Sequence, residues 1–105
     1  REPVTAFSAL SPQAFAELRE VTVGVERLLK DFVDYQRINW LMLMMVDPDV
    51  HFHVIPRYEG SRSWAGLTFP DAGWPDPPAL AEAVSLDDAQ LDKLTAELAA
   101  RWVAA

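Results

Sequence analysis

Residues 46–58 read VDPDVHFHVIPRY, and this stretch decides the fold. From Val50 onward, β-branched and aromatic residues alternate with histidine. Val50, Phe52 and Val54 would face one side of an extended chain; His51, His53 and Ile55 would face the other. Asp47 and Pro48 suit the first two positions of a β-turn. Upstream, residues 37–46 (RINWLMLMMV) are apolar at both alternating sets of positions, the pattern of a strand covered on both faces. Two strands joined by a short turn predict an antiparallel hairpin with two imidazoles on one side.

Working outward, residues 10–32 carry a helix pattern. Ser11 suits the N-cap and Pro12 the first helical position, where a missing N–H is harmless. Leu10 and Phe15 hold the N′ and N4 places of a hydrophobic staple. Phe15, Leu18, Val25, Leu28, Leu29 and Phe32 recur at helical spacing, which predicts a helix over 12–33. Residues 58–78 are rich in Gly, Pro, Ser and Asp and read as a long irregular segment, or one holding a short strand. Trp64, Phe69 and Trp74 are its expected anchors. Residues 85–102 predict a second helix, with Ser85 as N-cap and Asp87 and Asp88 in the first turn. Leu91, Leu94, Leu98 and Trp102 would be its buried stripe.

The chain has 105 residues, half of them hydrophobic, which suits a single domain spanning 1–105. The fold class expected is α+β: an antiparallel sheet packed against the long first helix, with a C-terminal helix. A formal net charge of -7 argues against a nucleic-acid surface, because phosphate backbones are met by clustered Lys and Arg. No apolar run reaches membrane-spanning length, so no membrane association is expected. No secretory leader is legible and there is no cysteine, so the expected compartment is the cytoplasm.

On its own, a His-x-His pair is compatible with two strand residues whose ring nitrogens are satisfied locally. Asp49, His51 and His53 also alternate like a metal-ligand set. No other histidine is present to complete such a site, and no metal is expected.

DVHFHVIPRY (residues 49–58) resembles the signature of the histidine triad family, which runs His-φ-His-φ-His-φ-φ and is often followed by Pro-Arg. Aligned on HVIPR, His53 falls on the third family histidine, His51 on the middle one and Asp49 on the first. PVTAFSALSPQAFAELREV (residues 3–21) is similar to the loop and helix that precede the signature. The resemblance covers roughly the first 58 residues. It implies a nucleotidyl hydrolase or transferase acting on nucleotide phosphoanhydrides, esters or phosphoramidates. His51 would be the nucleophile that forms a nucleotidyl-histidine, and His53 its partner on the phosphate. Neutral imidazole is the prevalent form near pH 7, and two displacements ease one difficult step. Asp49 is a turn residue or one that orients His51, and Arg57 is a possible phosphate ligand or an ordinary strand-end arginine. The resemblance further implies a small-molecule nucleotide substrate, no cofactor and a homodimer.

This chain departs from the family at four places, one of them the Gly-containing loop, which is shortened here to VDPD (residues 46–49). Asp49 replaces the first histidine. Met45 and Val46 stand where a Gln-Ser or Gln-Thr pair touches phosphate. REPV (residues 1–4) reads as the end of the strand entering the first helix, so the family's N-terminal strands are not in the sequence. These departures favour an alternative: a catalytically silent protein of the same fold that binds nucleotide or self-associates.

Overall fold

The computed structural model describes residues 3–104 and contains two helices and two small antiparallel sheets. A 3₁₀ turn at Phe7–Ala9 leads into α1, Pro12–Val33. Then come β1 (Arg37–Leu41), β2 (His53–Arg57), β3 (Ser61–Trp64), β4 (Leu67–Pro70) and α2 (Asp88–Ala104). The architecture is mixed α+β. Of the REPV segment, Arg1 and Glu2 lie outside the described residues; Val4 accepts a hydrogen bond from Val50 N–H at 2.8 Å.

α1 begins and ends where its residues dictate. The Ser11 hydroxyl accepts from Ala14 N–H at 3.1 Å, and Pro12 follows it. The helix stops at Asp34, which adopts the left-handed conformation (φ 52°) that a short polar side chain tolerates. Arg62, from β3, reaches across to donate to the carbonyls of Val33 and Asp34 at 2.7 and 2.8 Å. Two carbonyls left over at the helix end thus find partners. Leu28 is the buried centre of the inward face. Phe15 is not core: it is 41% exposed and stacks on Phe7, with ring centroids 5.5 Å apart.

β1 and β2 form the expected antiparallel pair, in register from Arg37↔Arg57 to Leu41↔His53. The strand is shorter than the apolar run 37–46 predicts. It ends at Leu41, because the ladder runs out at His53 and Met44 takes a positive φ of 49° that no strand accommodates. The rest of the run emerges into solvent, with Leu43 48%, Met45 82% and Val46 fully exposed. β1 touches α1 through its indole: Trp40 Nε1–H donates to Glu26 Oε1 at 3.2 Å. Phe52 sits edge-on to both Trp40 and Phe7 and closes this side of the core.

The segment read as irregular holds a second hairpin, β3–β4, in register from Ser61↔Pro70 to Trp64↔Leu67. Its two-residue turn is Ala65-Gly66, both at positive φ (51° and 77°), the signature of a type I′ turn. Alanine in the first turn position is what conceals the hairpin in the sequence.

α2 also departs from expectation at its start. Asp87, not Ser85, caps it: the Asp87 carboxylate accepts from Gln90 N–H at 2.8 Å, and the Gln90 side chain accepts from Asp87 N–H at 2.9 Å. This reciprocal box satisfies two donors where a serine two residues earlier satisfies none. Leu91 and Trp102 are about half exposed, so the stripe is only partly buried. α2 docks on α1 through Arg101, which pairs with Asp31 and lies over the Phe32 ring at 4.6 Å.

The tightest packing is polar. Arg57, 4% exposed, closes β2 with a two-pronged pair to Asp71: Nε to Oδ2 at 2.8 Å and Nη2 to Oδ1 at 3.2 Å. It also donates to Asn39 Oδ1 at 2.8 Å and to the Asp76 carbonyl at 2.7 Å. Asp71 accepts in addition from Tyr58 N–H. One guanidinium thereby joins both strands of the first sheet to the loop after β4.

Candidate functional site

The site begins with the turn before β2. Asp47 Oδ1 accepts from Asp49 N–H at 3.0 Å, a side-chain-closed turn of the kind aspartate favours. That turn aims the Asp49 carbonyl at the next imidazole, and His51 Nδ1 lies 2.6 Å from Asp49 O. A carbonyl oxygen only accepts, so the contact requires the proton on Nδ1. In the neutral ring the Nε2 lone pair is then free.

His51 and His53 are neighbours, with ring centroids 5.1 Å apart and planes at 75°. Only His53 lies within β2; His51 belongs to the segment leading into it. The link between Asp49 and His51 is not the one a carboxylate would make; it runs through the backbone. Among the described residues no group of three His, Asp or Glu side chains converges as metal ligands would, so the Asp49, His51, His53 set does not assemble.

Arg57 stands apart from the histidines. It lies four residues along β2 from His53, about 13 Å at the usual rise. Its guanidinium is committed to Asp71, Asn39 and Asp76. In Asp71, burial alone would raise the carboxyl. The Arg57 hydrogen bond, the Tyr58 N–H, the Arg57 charge and the Gly73 N–H outweigh it and hold the group below the ordinary value of 3.8. Arg57 is therefore placed as a structural residue.

The groove beside His51 was not legible from residue pattern. It has a volume of about 780 Å³ and runs between α1 and the segment from Asp47 to Phe52. Ala14 and Leu18 of α1, with Leu10 just before it, form one wall; Val50, His51 and Phe52 form the other.

No protein-family model matches the chain, and no curated protein matches it. Among the described residues no helix is long and apolar enough to cross a membrane.

Proposed function

We propose that this protein is a nucleotidyl hydrolase or transferase of the histidine triad type, with His51 as nucleophile. The observation that carries this reading is the 2.6 Å contact between His51 Nδ1 and the Asp49 carbonyl. It holds the proton on one nitrogen and leaves the other as a base-free nucleophile. In the reaction the Nε2 lone pair attacks phosphorus, the bond from phosphorus to the leaving atom breaks, and its electron pair departs with that atom. The adduct carries positive charge on the ring, which the Asp49 carbonyl stabilises through Nδ1–H. His53, one ring away, delivers the proton that the leaving atom takes up. Water then attacks phosphorus and Nε2 leaves with its lone pair restored; a proton from the water returns to His53 or solvent. No step calls for a cofactor.

A homodimer belongs to the same reading. Among the described residues β1 and β2 pair only with each other, and the loop after β1 presents Leu43, Met45 and Val46 to solvent. Open sheet edges and contiguous apolar surface are usually covered. The same loop supports the second reading, a self-associating protein without turnover.

Turnover of a nucleoside phosphoramidate separates the two. His51→Ala should lose all activity above background. His53→Ala should slow release of a poor leaving group by roughly 100-fold, within the range of general acid catalysis, and of a good one far less. Parent-level turnover by His51→Ala rules the mechanism out.

A further inference from the structure

We infer that the aromatic cleft between the end of α1, the β3–β4 hairpin and α2 binds a small aromatic carboxylate, a single ring bearing one anionic group. The cleft has a volume of about 220 Å³ and shares no lining residue with the groove beside His51, so its occupant is independent of the nucleotidyl-transfer reading. Four rings from four parts of the chain form its walls: Phe32 of α1, Tyr58 after β2, Trp64 of β3 and Phe69 of β4. Leu94 of α2 contributes from the second helix. Among the described residues none of the four rings packs against another aromatic ring, so a guest ring that stacks here displaces no ring pair already made.

Three of these rings hold a cation on one face. Arg62 lies over Tyr58 at 4.4 Å, Arg101 over Phe32 at 4.6 Å and Lys93 over Trp64 at 5.5 Å. That clustering runs against a formal net charge of -7. Arg101 is matched by Asp31 and Glu97. Arg62 and Lys93 have no carboxylate within 4.0 Å among the described residues. Arg62 donates instead to the carbonyls of Val33, Asp34 and Ser61, which fix the guanidinium and neutralise it only in part. Of the N–H groups a guanidinium carries, some are left for a carboxylate, whose planar oxygens match the fork. Size narrows the class further. A dry apolar cavity of about 150 Å³ takes up benzene, so one of about 220 Å³ suits a ring with one small substituent and is too small for a nucleotide.

The probes are benzoate, benzamide and benzylammonium, which share a ring and differ in charge. Each is titrated into the isotope-labelled chain at constant ionic strength, up to about 10 mM, which reaches the weak affinities of ligands this small. Amide chemical shifts locate the site. Benzoate should move the amides of Phe32, Tyr58, Trp64, Phe69 and Leu94. It should bind roughly tenfold tighter than benzamide, the margin of a charge-assisted over a neutral hydrogen bond at a half-exposed site, and benzylammonium should bind weakest. Arg62→Gln should abolish the preference for benzoate, Lys93→Gln should reduce it by about two- to threefold, and Leu94→Trp, which fills the cleft, should remove binding of all three probes. Thermal melts verify that each variant is folded; should Arg62→Gln not fold, Lys93→Gln and the probe series on the parent decide. Benzamide or benzylammonium binding as tightly as benzoate, binding that survives Leu94→Trp, shifts confined to the groove beside His51, or no shift at the highest concentration overturns the inference. Cleft amides that shift with protein concentration alone assign the cleft to a second copy and overturn it as well.

Discussion

Removing the Arg57 guanidinium should be the most damaging single change in the molecule away from the histidines. Arg57→Gln leaves the Asp71 carboxyl, with its side chain 8% exposed, without the charge that offsets its burial. Four donor contacts are lost, to Asp71 twice, to Asn39 and to the Asp76 carbonyl. Counting them at about 1.5–3 kcal/mol each overstates the loss, because water and neighbouring donors fill in. Breaking one side of a buried pair typically costs about 3–5 kcal/mol. Domains of this size hold only about 5–15 kcal/mol, so the melting temperature should fall by about 15–30 °C. Arg57→Lys keeps the charge but not the fork and should lie between. The Asp71 carboxyl is held below 3.8 in the folded chain. Its stabilisation is therefore complete above that ordinary value and is lost as pH falls through the lower folded value. The parent should lose stability in that acid window, and Asp71→Asn should lack that component. Thermal melts followed by circular dichroism between pH 3 and 7 measure both. A melting temperature for Arg57→Gln within about 5 °C of the parent would refute the structural role, as would unchanged stability with weakened nucleotide binding.

Two further outcomes are expected. A Cβ on Gly73 would sit 2.4 Å from the Pro77 carbonyl oxygen and 2.9 Å from Ala79 N, both backbone atoms. Gly73→Ala should therefore destabilise by about 1–3 kcal/mol, the usual range for overpacking, as read by urea titration. Asp87→Ala removes the acceptor for Gln90 N–H and should cost about 1 kcal/mol in the same assay, whereas Ser85→Ala should be neutral within about 0.5 kcal/mol.

Legibility in the sequence followed the range of the forces involved. α1 was readable because its signals are local: Ser11 and Pro12 at its start and a 3.6-residue apolar period through it. The β1–β2 pairing was readable from the turn residues and the alternation. What failed depended on partners distant in the chain or on backbone sign. The apolar run after Leu41 reads as buried strand, yet Met44 turns it outward. Arg57 looks like a free strand-end cation; the residues that claim it lie 14 and 19 positions ahead and 18 behind. His51 and His53 were expected on one side of the chain, and their rings are neighbours although only His53 lies within the paired strand. The Asp49 carbonyl was beyond reach, because every residue has one and only the folded turn aims it.

The central claim is tested most directly by mass spectrometry of the protein mixed with a nucleoside phosphoramidate and quenched within milliseconds in alkaline denaturant, which spares an acid-labile phosphorus–nitrogen bond. One nucleotidyl group should appear on the peptide carrying His51 and be absent from His51→Ala. Substrate consumed with no such adduct, or an adduct that persists in His51→Ala, would contradict the account.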